Sequence, residues 1–179
     1  MNQFTKLFLN TLLILIIIPT TTFSQNIDQN DSAEEKLIIA AEEIMKEAGT
    51  CVLITLDKYS NPMVRIMDPF LPESDFTVWF GTTSKSRKVQ QIKNNPTVTL
   101  YYQDSDDSGY VVIHGNAQIV NDKKEKEKRW KESWEDFYPN DREGYTLIKV
   151  SPKWMEILST TRGILGDPIT WKTPTVIFD

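Results

Sequence analysis

The spacing of apolar residues changes from helical to strand-like just after residue 49. From Leu37 to Ala48, apolar side chains recur every three to four positions, which predicts an amphipathic helix. Ser32 and Glu35 have the spacing of a capping box, and Gly49 supplies a C-terminal stop. The pattern therefore predicts one helix that begins near Ser32 and ends before Gly49.

Beyond this helix, apolar and polar residues alternate in short segments, as expected of strands with one buried face. The turn at 58–62 joins the first two segments into a hairpin, and a short helix is predicted from about residue 84 to the Asn-Asn-Pro at 94–96. The predicted strands are 51–57, 63–68, 75–80, 97–102, 110–120, 145–151 and 154–158, followed by an ordered tail that ends in a short strand. Six or seven antiparallel strands with few helices predict a mainly β fold, a small closed β-barrel with flanking helices.

A further amphipathic helix is predicted over residues 122–139, between the fifth and sixth strands. Asn121 or Asp122 is placed to cap it. Its apolar stripe consists of four aromatic residues at positions i, i+4, i+7 and i+8, namely Trp130, Trp134, Phe137 and Tyr138. We expect Trp130 and Trp134 to pack in the core and the charged residues of this segment to face solvent.

The N-terminal residues 1–24 have the three-part layout of a secretory signal. One lysine precedes a mostly apolar run of 12 residues, and a small polar segment follows. The run is shorter than the roughly 20 residues that a membrane-spanning helix needs. The sequence therefore predicts cleavage near Ser24, an exported (periplasmic or secreted) protein without stable membrane insertion, a polar tether at 25–31 and a single domain over 32–179. An uncleaved membrane anchor is the alternative.

Composition and charge exclude several classes of function. The chain has 179 residues and a formal net charge of −5, which argues against a general nucleic-acid surface. Cys51 is the only cysteine and His114 the only histidine. An internal disulfide is therefore impossible, and a structural zinc site or a Cys–His catalytic pair lacks suitably spaced partners. We expect Cys51 to pack in the barrel as a small hydrophobic residue.

The segment from Gly81 to Pro96, "GTTSKSRKVQQIKNNP", concentrates hydroxyl groups and positive charge between a strand and a helix. A helix N-terminus offers unpaired backbone N–H groups and the positive end of the helix dipole. Hydroxyls, Arg87 and Lys88 added to that position predict a phosphate-binding site. The alternative is a serine helix cap followed by exposed basic residues, and local physical chemistry alone leaves both interpretations open.

Three stretches carry a resemblance to a known family. The segment "SRKVQQIKNNPTVTL" resembles the phosphate-binding segment of the pyridoxamine 5′-phosphate oxidase-like FMN-binding split barrels. "PMVRIM" at 62–67 is similar to the arginine-bearing strand that lines the flavin, and "YVVIHGNAQIV" at 110–120 is similar to the long strand of that family. The resemblance extends over roughly residues 33–158 and is closest to the general-stress-protein branch.

The resemblance implies FMN as cofactor, with the following roles. Arg87 and Lys88 would hold the phosphate beside Ser86, and Thr82 would donate its hydroxyl. Arg65 would approach the phosphate or the ring edge, with backbone contacts from the next two residues, Ile66 and Met67. Tyr110 would lie near the flavin of the second subunit, since FMN in this family occupies the groove between two protomers. A homodimer is therefore implied.

The resemblance also limits the activity. The C-terminal Arg-x-His segment with which the oxidase binds its substrate has no counterpart here, so we expect an oxidoreductase acting on another small molecule rather than on pyridoxamine phosphate. Two other functions remain open. One is a non-catalytic exported binder of flavin, of haem through His114 or of another anionic ligand, and the other is an interaction module without a ligand. Trp171 would either cover the flavin or pin the tail.

Overall fold

The computed structural model describes residues 23–136 and 144–178, with side chains from Ser32 onward. The predicted signal segment lies almost entirely outside the described residues, so its cleavage stays a prediction. No helix in the described ranges is long and apolar enough to cross a membrane.

Seven strands form one antiparallel sheet with the order β2-β1-β4-β5-β6-β3, and β7 pairs with β6. An isolated bridge between Pro69, just after β2, and Phe80 of β3 joins the two ends of this order, so the sheet closes on itself. The predicted barrel of six to seven strands is thereby confirmed. The strands are β1 (Cys51–Leu56), β2 (Pro62–Met67), β3 (Val78–Thr83), β4 (Thr97–Gln103), β5 (Gly109–Val120), β6 (Tyr145–Ser159) and β7 (Thr175–Ile177).

Helix α1 (Phe23–Ala48) closes one side of the barrel. Its side chains Ala41 and Ile44 are fully buried in the main core. The helix begins at Phe23 and not at Ser32, and the predicted tether at 25–31 is helical. The capping-box prediction was therefore wrong, because Ser32 lies inside a longer helix where its neighbours already supply backbone hydrogen bonds.

The helix predicted over 122–139 is much shorter in the structure. Asp122 caps α3 (Lys123–Lys128) by accepting a hydrogen bond from the Glu125 amide, and a single 3-10 turn, Glu132–Trp134, follows after a break. Trp130 and Trp134 pack with Trp79 and Tyr145 in a second apolar cluster, outside the main core. Phe137 and Tyr138 lie outside the described residues.

Two strand boundaries also differ from the prediction. The segments predicted as 145–151 and 154–158 form one continuous strand, β6. His114 and Gly115 of β5 pair with Trp154 and Pro152, so β6 has a bulge at this point, which accommodates the proline within the strand. Strand β3 begins three residues later than predicted, at Val78. Before it, Phe76 has a positive φ of 59°, and the Asp75 carboxylate accepts a hydrogen bond from the Thr77 amide, which makes this segment a turn.

The tail after β6 is ordered, as predicted, by polar contacts. Arg162 donates to Asp104 at 2.6 Å and to Glu43 of α1 at 3.2 Å. Asp167 accepts hydrogen bonds from the Thr170 amide and hydroxyl in a tight turn. Trp171 is 83% exposed, so packing of this indole does not pin the tail.

Candidate functional site

The predicted phosphate site forms where β3 ends and helix α2 (Arg87–Asn94) begins. Val89 and Ile92 are buried and anchor α2 to the barrel, which leaves the first turn of the helix facing the end of β3. Ser86 is the N-cap residue in an extended conformation (φ −67°, ψ 148°), and its side chain makes no capping hydrogen bond. The hydroxyl of Ser86 is thus not used as a helix cap, which is the role that the alternative interpretation requires.

Three of the predicted site residues are in contact at this junction. Lys88 Nζ donates to Thr82 Oγ1 at 3.0 Å, and Thr82 Oγ1 lies 3.4 Å from Ser86 Oγ. Thr82 is buried and comes from β3, whereas Ser86 is the N-cap of α2 and Lys88 lies in its first turn, and both are half-buried. The strand and the helix therefore present two hydroxyls and one ammonium group to the same place.

Arg65 reaches the same end of the barrel from the inner face of β2. Its Nη1 donates to Thr55 Oγ1 at 2.7 Å and its Nη2 donates to Gln91 Oε1 at 3.0 Å. Thr55 in turn donates to Gln91 Oε1 at 2.7 Å. Thr55 and Gln91 were not predicted from the sequence. The signals present there were a threonine among the apolar residues of β1 and a glutamine one helical turn after Arg87.

The electrostatics of this group favour an anion. Burial, followed by the charges of Arg65 and Arg87, lowers the pKa of Lys88. Burial and the charge of Arg87 likewise lower the pKa of Arg65. Among the described residues, no carboxylate forms a salt bridge with Arg65, Arg87 or Lys88. The seven salt bridges found there all involve other residues. Neighbouring cations that lack a carboxylate partner in the described ranges favour an anionic ligand.

The other predicted residues lie on the outer face of the sheet or in the core. Ile66 is 74% exposed, and Met67 packs against the main core. Tyr110 is half-buried on the outer face of β5, where its ring packs on that of Tyr101 with centroids 5.8 Å apart. Within one protomer the structure therefore does not bring Tyr110 to the Arg65 side chain, which points to the inner face.

His114 also lies on the outer face. Its ring stacks on Trp154 with centroids 3.7 Å apart, and its Nδ1 is 3.2 Å from Thr99 Oγ1. Partial burial lowers the pKa of His114. The negative charge of Glu156 acts in the other direction but does not offset the effect of burial. Cys51 is buried in the main core, as predicted, and burial raises its pKa to about 12.

The closed antiparallel barrel with a cationic, hydroxyl-lined strand-to-helix junction defines a split-barrel architecture. A family model described as "pyridoxamine 5′-phosphate oxidase like" matches residues 36–170. The chain belongs to this family, which confirms the resemblance found in the sequence. A comparison with curated proteins gives no significant match.

Solved structures share this fold. General stress protein 26 from Bacillus anthracis is 28% identical over 68% of this chain and 93% of its own, with a TM-score of 0.60. A Clostridium acetobutylicum protein related to general stress protein 26 is 21% identical over 80% of this chain and 95% of its own, with a TM-score of 0.66. A pyridoxamine 5′-phosphate oxidase-related, FMN-binding protein from Nostoc punctiforme is 12% identical, covers 90% of this chain and 100% of its own, and has a TM-score of 0.57.

Proposed function

We propose that this protein binds FMN at the junction of β3 and α2 and uses it as the redox cofactor of an oxidoreductase. The observation that carries the proposal is the geometry of the junction, where Lys88 Nζ lies 3.0 Å from Thr82 Oγ1 and Thr82 Oγ1 lies 3.4 Å from Ser86 Oγ. Arg65 and Arg87 are close enough for their charges to contribute, after burial, to the lowered pKa of Lys88, and none of the three cations has a carboxylate partner in the described part of the chain. The relative from Nostoc punctiforme is an FMN-binding protein, which supports this choice of anion. A phosphate monoester at the end of a flavin would supply the missing negative charge.

The residues of the junction fit a phosphate group. Arg87 is exposed at the first position of α2, so its guanidinium can move to meet a ligand, while Lys88 and Thr82 are already held together. A phosphate dianion accepts several charge-assisted hydrogen bonds at once. The protein's part is then to hold and orient the phosphate; the bound flavin supplies the exchange of hydride with a small-molecule substrate.

We further propose a homodimer that uses the outer face of the sheet. Val64 and Ile66 are 63% and 74% exposed and lie two residues apart on the outer face of β2, where they form an apolar patch that a second protomer could cover. Association there would let Tyr110 of one protomer approach the flavin bound by the other. Ile66→Asp should therefore give a monomer in light scattering, whereas Tyr59→Asp, which changes a 73% exposed residue in a turn, should remain dimeric.

We also retain export as part of the proposal. The signal-like segment predicts that the mature chain starts near Gln25 and acts outside the cytoplasm. N-terminal sequencing of protein recovered from the producing cells tests this point. A chain that still starts at Met1 would contradict cleavage without affecting the proposal for FMN.

The proposed function is tested by purifying the protein from flavin-supplemented cells and identifying the bound molecule by mass spectrometry. We expect FMN close to one per protomer, and turnover with a reduced nicotinamide and an acceptor dye. FMN without turnover would favour the non-catalytic binder. Haem that is lost in His114→Ala would favour the haem-binding alternative. Protein that carries no ligand and gains none from added FMN would overturn the proposal.

A further inference from the structure

Gln91 closes a ring of three hydrogen bonds that holds the Arg65 side chain. Arg65 donates to Thr55 Oγ1 and to Gln91 Oε1, and Thr55 donates to the same Oε1 atom. A guanidinium group can only donate, so the atom of Gln91 that faces it must be the carbonyl oxygen. The ring thus fixes the orientation of the Gln91 amide and of the Thr55 hydroxyl together.

This ring leaves one edge of the guanidinium available. Nη1 is occupied by Thr55 and, at 3.4 Å, by the Leu53 carbonyl, while Nη2 gives one hydrogen to Gln91. The Nε of Arg65 has no acceptor among the described residues. The Nε–Nη2 edge of an arginine can bind two oxygens of one phosphate. Burial and the charge of Arg87 lower the pKa of Arg65, and burial and the charges of Arg65 and Arg87 lower the pKa of Lys88. The three cations are therefore close enough for a phosphate on this edge of Arg65 to be the one that Arg87 and Lys88 would hold.

We infer that Gln91 is a positioning residue, which orients Arg65 for a bidentate contact with the phosphate of the flavin. The inference rests on the proposed function and deepens it. Gln91 is half-buried and its carbonyl oxygen is already shared by two protein donors. Gln91 acts on the ligand through Arg65, whose position it determines.

The chain offers a matched control one residue away. Gln90 precedes Gln91 in α2, is exposed and points away from the barrel. Substitution of either glutamine by alanine removes the same atoms and slightly favours the helix. Only Gln91→Ala removes the acceptor shared by Arg65 and Thr55.

The experiment measures dissociation constants for FMN and riboflavin in the wild type, Gln91→Ala, Gln90→Ala, Arg65→Ala and the double variant Arg65→Ala/Gln91→Ala. We expect Gln91→Ala to weaken FMN about tenfold, the factor that corresponds to one hydrogen bond to a charged group. Riboflavin, which has no phosphate, should bind both glutamine variants like the wild type. In the Arg65→Ala background, Gln91→Ala should have no further effect on FMN, because a residue that acts through Arg65 loses its role with it.

Three results overturn the inference while leaving the proposed function intact. They are an unchanged FMN affinity in Gln91→Ala, an equal loss for FMN and riboflavin, and an undiminished loss in the Arg65→Ala background. A wild type that binds no FMN would instead overturn the proposed function, and this inference with it. If Gln91→Ala does not fold, Thr55→Val breaks the same ring at nearly constant shape, with Thr55→Ser as the control that restores the hydroxyl.

Discussion

The ammonium group of Lys88 donates a hydrogen bond of 3.0 Å to the hydroxyl of Thr82, and this contact joins helix α2 to strand β3. The two residues are six positions apart in sequence and belong to different elements. The same ammonium group is held near Arg65 and Arg87, whose positive charges repel it. An arrangement that brings cations together at a cost in repulsion is most readily explained by an anionic ligand.

The lowered pKa of Lys88 gives a pH-dependence that can be measured. In the free protein the side chain loses its proton below the usual lysine value of 10.5. FMN affinity should therefore fall as the pH rises into the range below 10.5 where Lys88 loses its proton, because the neutral amine no longer attracts the phosphate. Lys88→Arg keeps its charge in this range and should show no such fall.

Riboflavin provides the control for this titration. Both flavins share the ring system, so any change in the ring affects the two alike, and only the phosphate contact differs. The quantity to plot against pH is the dissociation constant of riboflavin divided by that of FMN. This ratio falls when FMN loses the contact to its phosphate. A ratio that stays constant in the wild type, or that falls equally in Lys88→Arg, would show that Lys88 does not contact the phosphate.

A second prediction concerns Gly81, the residue before Thr82. A Cβ atom at this position would lie 2.2 Å from the Cη2 atom of Trp134, whose ring covers the strand. Gly81→Ala should therefore destabilise the protein by about 1–3 kcal/mol, the usual cost of overpacking. The measurement is the free energy of unfolding in urea, followed by the FMN affinity of the variant.

Replacing Trp134 with a smaller residue tests whether contact with its ring causes the destabilisation by Gly81→Ala. In a Trp134→Leu background, the added methyl group has space, so Gly81→Ala should cost only a fraction of its effect in the wild type. An equal cost in both backgrounds would mean that the alanine disturbs the backbone of β3 rather than the packing of Trp134.

A third prediction concerns the reactivity of Cys51. Burial raises the pKa of this thiol to about 12, so at pH 8 only about one molecule in ten thousand carries the reactive thiolate. Iodoacetamide should not modify the folded protein over hours and should modify it readily in guanidinium chloride. Rapid alkylation of the folded protein, detected by mass spectrometry, would contradict the placement of Cys51 in the core.

Most of the fold was predictable because the barrel strands alternate buried and exposed residues. β1 and β4 follow this alternation closely. The errors fall where another interaction overrides the local pattern. Ser32 does not begin a helix, because α1 continues through this position. The helix predicted after Asp122 ends at Lys128, because the next residue, Arg129, is buried and pairs with Glu73 of a distant loop.

The candidate site was predictable only in part. Thr82, Ser86, Arg87 and Lys88 lie within seven residues, so a motif can reveal them. Thr55, Arg65 and Gln91 come together only when β1, β2 and α2 pack, and their hydrogen bonds span 10 to 36 residues. Tyr110 is separated from Arg65 because it lies on the outer face of β5. Which face of a strand is the outer one is defined only when the barrel has closed.

Binding of the FMN phosphate at the β3–α2 junction is tested by titrating Arg87→Ala with FMN and riboflavin, with Lys93→Ala as an exposed control in the last turn of α2. We expect Arg87→Ala to lose about 1.5–3 kcal/mol of FMN binding, on the order of tenfold to a hundredfold in affinity. Riboflavin binding and apo-protein melting should stay unchanged in both variants. An equal loss for the two flavins, or FMN binding in Arg87→Ala that matches the wild type, would show that the phosphate does not bind at this junction.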